Sequence, residues 1–493
     1  MFCDNFFKPF KFVLVVLNAF FCFSMPNAWA QEPIQRQADV IIVGGGLAGL
    51  SAARTLVSEG LSVIVLEASN RIGGRTWTKN IPGGGWIDMG GQWVGPGMEH
   101  ILPLAESLDV KTFPSYHKGD NILIYGGKQQ KYSSDPAVGT FPISQEELKD
   151  YQSALKKIDA YALEVPVDAP WRAPRAKEWD SQTLATWIRD NVPSPGAKFI
   201  LRVFALGYFA AEPSDISFLH FLFYIHAGGG FHKLHTSGVA LRFAGGAQQI
   251  SEKMANQLGD RVLLNMPVRE IDQTGDLVVV RTEHDRFEAK QVIVAMAPPL
   301  AVRISYKPNL PANRDQFSQR TPMGSSIKVH AVYETAFWRE KGLSGQVISE
   351  DDDVSLAVDN SPPDGKPGIL AGFLEGQEAR EWSDRPEAEL KKKVLEAFVK
   401  FYGAEAATPV AFYKADWDAE PWARGCFTCV LPPGTWTGFP GVVREPVGRI
   451  HWAGTETATE WYAYMDGAVA SGKRAAANIL LILKKDDNVK KTK

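Results

Sequence analysis

Two cysteines, Cys426 and Cys429, stand near the end of the chain, and no other cysteine follows residue 22. A C-x-x-C pair supports a structural disulfide, a metal site, or a thiol that reacts with another group. A zinc site is disfavoured, because no second cysteine pair or histidine pair at ligand spacing accompanies it. The disulfide and the reactive thiol both remain open at this point.

A glycine-rich turn near the start of the chain has the spacing of a nucleotide-binding loop. Residues 38–53 read as a buried strand that enters a helix through Gly-x-Gly-x-x-Gly, and residues 61–66 predict a second strand that ends at Glu67. Such glycines let backbone amides approach a pyrophosphate, while the acid accepts from ribose hydroxyls and repels the extra phosphate of NADP. This βαβ pattern predicts binding of FAD or NAD. The glycines of the motif are Gly44, Gly46 and Gly49.

A second glycine-rich stretch follows the acid directly and decides between the two cofactors. Residues 67–76 contain another glycine pair and Arg75, and residues 88–96 form a third glycine-rich segment. Both stretches resemble segments of the flavin-dependent amine oxidase family. The resemblance implies FAD, with Arg75 reaching towards the pyrophosphate and the third segment passing close to the flavin ring. No second Gly-x-Gly-x-x-Gly occurs, so a separate NAD(P)H site has no support.

Two stretches near the C-terminus narrow the resemblance to the monoamine oxidase branch. They are residues 423–428 and residues 454–465, the latter leading into a closing helix. The resemblance implies that the sulfur of Cys426 is bonded to the flavin, with a Cys426–Cys429 disulfide as the competing interpretation and Cys429 otherwise a small buried residue. The closing helix would direct its positive end at the flavin and stabilise the reduced ring.

The resemblance implies that three side chains lie at the flavin face and take part in the reaction. Phe427 and Tyr464 match two aromatic positions that flank the amine, with Phe427 in place of the usual tyrosine. An aromatic slot lowers the pKa of the amine by desolvation and steers its lone pair. Lys328, in a strand predicted over residues 324–333, matches the lysine that holds a water at flavin N5 and assists reaction with O2. The alternative for Lys328 is a solvated side chain on a sheet face.

The resemblance also implies a set of residues that bind FAD. They come from the glycine turns, from a strand predicted over residues 262–268, and from the C-terminal segment. No metal site is predicted. The residues are Gly44, Gly46, Gly49, Glu67, Arg75, Gly90, Gly91, Gln92, Val268, Trp417, Cys426, Gly454, Thr455, Glu456, Tyr464 and Met465.

The predicted fold class is α/β, with an α+β substrate domain. We expect a Rossmann-type FAD-binding domain that is discontinuous in sequence and holds an inserted substrate-binding domain. The expected boundaries are 35–112, 243–317 and 420–483 for the FAD-binding domain, 113–242 and 318–419 for the substrate-binding domain, and 484–493 for a polar tail.

The first thirty residues have the pattern of a secretory signal peptide. Lys8 and Lys11 precede an apolar run over residues 12–25, and Ala28 and Ala30 form a small-residue cleavage site. We expect an exported protein, periplasmic or secreted, cleaved near Ala30. The alternative is an uncleaved anchor, although the run is short for a span of about 20 residues. The short apolar run near the C-terminus predicts no anchor in the mature chain.

The predicted activity is oxidative deamination of a primary or secondary amine to an imine and then an aldehyde, while O2 is reduced to hydrogen peroxide. The expected partners are therefore an amine and O2. A formal charge of −3 over 493 residues gives no indication of nucleic-acid binding. The oligomeric state is left open, with a homodimer as one option.

Three alternatives remain open. An L-amino acid oxidase needs an arginine that clamps the carboxylate, a diamine or polyamine oxidase needs a carboxylate such as Glu212, and a flavin-bearing binding or redox-sensing protein would have no turnover. Aromatic residues at 208–231 suit an arylalkylamine pocket and core packing equally well. Val239 stands where eukaryotic relatives carry a glutamine beside the substrate, so their preferences should not be transferred. The candidate arginines are Arg172, Arg175, Arg189 and Arg202.

Overall fold

The structure is a computed structural model that describes residues 34–82, 84–135 and 140–491. The predicted signal peptide lies outside the described residues. Within the described ranges, no helix is both long and apolar enough to cross a bilayer.

The described residues form twenty strands and sixteen α-helices. The strands are β1 (Gln35–Val43), β2 (Val63–Leu66), β3 (Thr78–Asn80), β4 (Trp86–Asp88), β5 (Trp93–Val94), β6 (Thr112–Pro114), β7 (Asp120–Tyr125), β8 (Lys128–Ser133), β9 (Leu241–Phe243), β10 (Val262–Leu263), β11 (Glu270–Asp272), β12 (Val278–Arg281), β13 (Arg286–Ala295), β14 (Ser305–Lys307), β15 (Ser326–Tyr333), β16 (Leu343–Ser349), β17 (Leu356–Asp359), β18 (Gly368–Glu375), β19 (Ala411–Asp416) and β20 (Ile450–Ala453). The helices are α1 (Leu47–Ser58), α2 (Ile101–Ser107), α3 (Gln145–Leu163), α4 (Ala176–Asp180), α5 (Leu184–Asn191), α6 (Pro195–Phe209), α7 (Phe218–Ala227), α8 (Phe231–Thr236), α9 (Gln248–Leu258), α10 (Pro298–Ala301), α11 (Ala312–Gln319), α12 (Phe337–Glu340), α13 (Gln377–Ser383), α14 (Glu387–Tyr402), α15 (Thr435–Gly438) and α16 (Met465–Lys491).

The larger sheet carries the glycine turn. Its parallel strands follow the order β10-β2-β1-β13-β20, and β12, β11 and β14 continue the sheet beyond β13. Residues 40–43 of β1 are buried, as expected for the branched residues of a strand that is covered on both faces. The carboxyl ends of the parallel strands meet at one edge, which brings Gly44, Glu67 and Gly454 together there. This arrangement confirms the predicted α/β fold.

A second sheet of seven strands, in the order β19-β15-β18-β17-β16-β7-β8, stands beside the first. Its strands come from residues 120–133 and 326–416, and every residue of β15 and β18 is buried. Lys328 lies in the middle of β15, so this strand positions a lysine inside the protein. The domain boundaries given above stay a prediction.

Two elements differ from the sequence predictions. The strand predicted over residues 262–268 ends at Leu263, because Asn265 has a φ of +56° and Pro267 has no N–H to offer a neighbouring strand. Helix α16 runs on to Lys491 through most of the predicted polar tail. That tail contains no glycine or proline that would end a helix.

Helices α1 and α16 pack closely enough to require a glycine. A Cβ atom at Gly472 of α16 would lie 2.1 Å from the carbonyl oxygen of Ala48 in α1. A Cβ atom at Gly207 of α6 would have no atom of a neighbouring residue within 4 Å. The first glycine is therefore needed for helix packing, whereas the second is not.

We predict opposite effects on stability for the two glycines. Gly472→Ala should lower the free energy of unfolding by about 1–3 kcal/mol, because the added methyl group overpacks the contact between α1 and α16. Gly207→Ala should leave stability unchanged or raise it by up to about 1 kcal/mol, because alanine is the better helix former. Denaturant titration of both variants measures the difference. Equal free energies of unfolding of the two variants would contradict the prediction, because they would show that α1 and α16 move apart to admit the methyl group without loss of stability.

Candidate active site

One cavity runs from the carboxyl edge of the parallel sheet to the place where the two sheets meet. It holds about 1630 Å³ of space, including its open mouth. Glu67 and Val268 line one end, and Cys426, Phe427 and Tyr464 line the other. The structure therefore brings residues from both ends of the chain to a single elongated site.

The glycine turn at the first end leaves room for a ligand. Two of these glycines are required by packing within the protein. A Cβ atom added to Gly44 would lie 2.6 Å from the carbonyl oxygen of Ala295, and one added to Gly49 would lie 2.0 Å from the carbonyl oxygen of Gly44. Gly46 differs, because its φ of −80° suits any residue and the nearest atom to a Cβ would be the Gly73 oxygen at 3.9 Å. Gly46 lines the cavity. The absence of a side chain there fits the close approach of a pyrophosphate.

Glu67 lies at the same end, immediately after β2, with 7% of its surface exposed. Its Oε2 accepts from the backbone N–H of Gly45 at 2.6 Å, and its Oε1 accepts from that of Ser69 at 2.8 Å. Burial raises the pKa of Glu67, while these hydrogen bonds oppose the rise. Each carboxylate oxygen has a further lone pair. The acid can therefore accept from two ribose hydroxyls while staying fixed by the backbone.

Arg75, which lines the cavity, forms an ion pair with Glu456. Nη1 of Arg75 donates to Oε1 of Glu456 at 2.6 Å, and Nη2 donates to Oε2 at 3.1 Å. Nη1 also donates to the carbonyl of Phe427 at 2.7 Å. Burial disfavours the arginine charge, but Glu456 outweighs this effect and raises the pKa of Arg75. Arg75 lines the cavity and also fixes the backbone next to Cys426; its contact with a pyrophosphate stays a prediction.

Lys328 is buried behind the third glycine-rich segment. Its Nζ donates to the carbonyls of Asp88 at 2.7 Å and Gly90 at 3.0 Å, and to Oε1 of Gln92 at 2.7 Å. Burial lowers the pKa of Lys328 to about 7, although the charge of Asp88 opposes this. The alternative of a solvated lysine is wrong, because 4% of the residue is exposed. Since three protein acceptors take the three ammonium hydrogens, its contact with a water at the flavin stays a prediction.

Two other predicted residues support the same segment from behind. Nε2 of Gln92 donates to Oδ1 of Asn360 at 2.7 Å, and Nε1 of Trp417 donates to the carbonyl of Met89 at 3.0 Å. Gly91 lines the cavity, and a Cβ there would meet nothing closer than 3.9 Å. Gly91 is therefore placed to contact a ligand, whereas Gln92 and Trp417 hold the segment in place.

Phe427 and Tyr464 are half-buried and line the same end of the cavity. The carbonyl of Tyr464 accepts from Oγ1 of Thr455 at 3.0 Å, and its ring meets Trp461 edge-on with centroids 5.1 Å apart. Met465 begins α16 at the cavity wall. The positive end of this helix therefore adjoins the aromatic end of the site.

The two cysteines have separate environments. Cys426 lines the cavity, whereas Cys429 is fully buried with its sulfur 3.6 Å from that of Met323. Both are free thiols, so the disulfide interpretation is not supported by the structure. Burial raises the pKa of Cys426 to about 12, although the charge of Arg75 opposes this. Of the two sulfurs, that of Cys426 is the one placed to meet a cofactor.

Most of the charged residues considered for binding an amino acid or a diamine form ion pairs with other protein side chains. Nε and Nη2 of Arg202 donate to Glu212 at 2.9 and 2.8 Å, so the two candidates neutralise each other. Arg175 pairs with Glu178, Arg189 pairs with Asp190, and Arg172 is exposed. None of these side chains is among the described residues that line the cavity. The carboxylates in the described lining are Glu67 and Glu420.

Sequence reasoning missed several lining residues. Trp422 has 41% of its surface exposed, yet it borders the cavity, and the guanidinium of Arg269 lies 5.9 Å from its ring centroid. Its position four residues before Cys426 was the feature of the sequence that could have identified it as a lining residue. The other missed lining residues include Arg71, Met266, Pro267, Arg269, Arg303, Met323 and Glu420.

Comparison with known proteins places these features in one family. The family model for flavin containing amine oxidoreductases matches residues 47–480. A flavin-containing amine oxidase of Danio rerio is 40% identical over 456 residues, which cover 91% of this chain and 86% of that protein. A probable flavin-containing monoamine oxidase A of Dictyostelium discoideum is 37% identical over 446 residues, covering 90% and 97% respectively.

Two solved structures of amine oxidases are similar to this protein over most of its chain. Wild-type putrescine oxidase bound to putrescine has a TM-score of 0.87 and 35% identity, covering 91% of this chain and all of that chain. Cyclohexylamine oxidase from Brevibacterium oxydans IH-35A has a TM-score of 0.86 and 34% identity, covering 91% and 99% respectively. The predicted cofactor and reaction class are thereby confirmed. The chain belongs to the family of flavin-containing amine oxidases and is an FAD-dependent enzyme that oxidises an amine with O2.

Proposed function

We propose that this amine oxidase acts on monoamines that carry an apolar or aromatic substituent, with FAD bonded to Cys426. The observation that carries the proposal is the lining of the Cys426 end of the cavity. Phe427 and Tyr464 supply rings there, and of the two carboxylates in the described lining of the cavity, Glu67 lies at the other end and Glu420 interacts with Arg71. A second positive charge on the substrate would therefore find no partner.

The chain's own residues account for cofactor binding. Gly46 admits the pyrophosphate, Glu67 accepts the ribose hydroxyls, and Val268 lines the adenine end. Cys426 is the proposed tether, and Arg75 holds the adjacent Phe427 carbonyl in place. When bound, FAD takes two electrons and a proton from the substrate and passes the electrons to O2. A similar solved structure is an alanine-to-cysteine variant from a redesign of cofactor binding in putrescine oxidase, which agrees with a cysteine at such a site.

The aromatic end prepares the amine for oxidation. An ammonium that enters between Phe427 and Tyr464 loses water and gains no counter-ion, so its pKa falls and the neutral amine is favoured. The rings then orient the nitrogen lone pair. The α-carbon gives up two electrons and one proton, the nitrogen loses a second proton, and water hydrolyses the imine to aldehyde and ammonia. We propose that Lys328 assists the step with O2 through the segment it fixes.

Similarity to a putrescine oxidase raises the diamine alternative. A diamine needs an acid at the distal ammonium, and Glu212 is already bonded twice to Arg202. An amino acid would need a free arginine, and Arg202 is paired as well. These pairings favour monoamines over both alternatives.

Mixing the holoenzyme with 2-phenylethylamine in the absence of oxygen should bleach the flavin absorbance. Air should restore the colour and release one hydrogen peroxide per amine. Lys328→Met should slow the return of colour by roughly 100-fold and affect the bleaching less. Putrescine and an L-amino acid are the comparison substrates. Bleaching by putrescine but not by 2-phenylethylamine would disprove the monoamine proposal, and no bleaching by any amine would disprove catalysis.

The two cysteines give a matched test of the tether. After acid precipitation, flavin should stay in the pellet of the wild type and of Cys429→Ala, because the thioether survives. Flavin should appear in the supernatant of Cys426→Ala. Absorbance of both fractions at the flavin band measures the distribution. Release of flavin from the wild type would exclude the covalent bond.

We further propose export, since residues 1–30 carry two lysines, an apolar run and an Ala-x-Ala site. N-terminal sequencing of enzyme recovered outside the cytoplasm should begin at Gln31. A chain that keeps its initial residues in the membrane fraction would support the uncleaved anchor instead.

A further inference from the structure

Trp422 is an exposed tryptophan at the opening of the cofactor cavity. It lines the cavity, yet 41% of its surface is accessible to solvent. Pro421 and Arg269 are likewise exposed and line the cavity, so these three residues border its opening. Tryptophan is buried on average. Packing of the core therefore does not explain a tryptophan at this position.

The turn that carries Trp422 is held by backbone hydrogen bonds. The carbonyl of Glu420 accepts from the N–H of Arg424 at 2.8 Å. Two residues further along, the N–H of Cys426 donates to the carbonyl of Gly324 at 2.8 Å. Trp422 and the proposed tether thus belong to one short segment whose backbone is fixed.

Trp422 contacts the wall at the nucleotide end of the cavity. The guanidinium of Arg269 lies 5.9 Å from the centroid of the Trp422 ring, an arrangement in which the cation is attracted to the indole. Nε and Nη2 of Arg269 donate to Oε1 of Glu283 at 3.2 and 2.7 Å, which holds the guanidinium in place. Arg269 directly follows Val268, which lines the adenine end. The indole therefore reaches from the segment of Cys426 to the opposite end of the site.

A second contact joins the same turn to the glycine-rich wall. Glu420 lines the cavity, and its charge interacts with that of Arg71. Nη1 of Arg71 donates to the carbonyls of Gly74 at 2.9 Å and Thr76 at 3.2 Å, which fixes this side chain in the second glycine-rich stretch. Residues 420–422 are therefore attached to the walls of the cavity by two arginines that the protein itself holds in place.

We propose that Trp422 is a cofactor-retaining residue, whose indole and turn close the opening of the cavity over bound FAD. The inference rests on the FAD site proposed above, and it concerns the time before the bond to Cys426 forms. In that step the thiol and a methyl group of the flavin each lose one hydrogen, and O2 takes up both as hydrogen peroxide. FAD that leaves slowly keeps its flavin beside the sulfur, and holding two reacting groups together favours the bond between them. Trp422 acts by positioning and takes no part in amine oxidation.

The test measures how fast FAD leaves holoenzyme that lacks the covalent bond. In Cys426→Ala holoenzyme, exchange of bound FAD for isotopically labelled FAD, followed by mass spectrometry of the protein-bound flavin, gives the rate of release. Adding Trp422→Ala should raise this rate by roughly 10-fold, because the aromatic contact is lost. Trp422→Phe should restore most of the retention, because a ring remains at the opening.

Arg424→Ala is the matched control. Arg424 belongs to the same turn and is exposed, but it is not among the described residues that line the cavity. In the Cys426→Ala background its variant should release FAD no faster than Cys426→Ala alone. If Arg424→Ala accelerates release as much as Trp422→Ala does, the effect is a general loosening of the turn and the inference is wrong.

A second measurement keeps Cys426 intact and covers the case in which Cys426→Ala binds no FAD. Produced in cells with limiting riboflavin, Trp422→Ala should carry a smaller share of covalent flavin in the acid pellet than the wild type or Trp422→Phe. An equal share in Trp422→Ala and the wild type, or an unchanged rate of release, would overturn the inference. Acid release of flavin from the wild type would disprove the tether alone, because the rate of release is then measured in the wild-type background.

Discussion

The ion pair between the partly buried Arg75 and the buried Glu456 is the constraint on which the site depends. The two residues are 381 positions apart, and Arg75 also reaches the carbonyl of Phe427, 352 positions away. Three segments that the sequence separates widely are thereby held around one point. Removing Arg75 would leave the buried carboxylate of Glu456 uncompensated, which costs about 3–5 kcal/mol. The position of the second glycine-rich stretch relative to the backbone beside Cys426 is therefore fixed by electrostatics as well as by packing.

A second buried charge joins the two sheets. Lys328 belongs to β15 of the seven-stranded sheet, but its three acceptors lie in residues 88–92, which begin at the last residue of β4. Burying an ammonium is costly unless its donors are satisfied. Here each hydrogen has an acceptor, and the arrangement also fixes the backbone of Gly90 and Gly91 beside the cavity. The same contacts thus stabilise the junction between the sheets and shape the wall of the site.

Local patterns predicted much of the fold, because the βαβ unit and the glycine turn are short-range features with their own stereochemistry. Contacts between distant segments were not predictable in the same way. Arg75 and Glu456 were both assigned to the cofactor, but nothing in their spacing indicated that they pair. Arg202 and Glu212 were assigned to rival substrates, although only ten positions separate them and they bind each other. The strand predicted over residues 262–268 was wrong beyond Leu263, since Pro267 cannot join a sheet.

The cavity combines two different environments, and this division bears on how a substrate is selected. The nucleotide half contains Arg71 and Arg269, which suit the phosphates of a ligand, and Glu67, which suits ribose hydroxyls. The other half contains Phe427 and Tyr464, with Tyr224 and Tyr208 behind them. In the proposed site, the aromatic rings desolvate the amine without supplying a counter-ion, which favours the neutral base. Under this proposal, selection between amines depends on the shape of the aromatic walls.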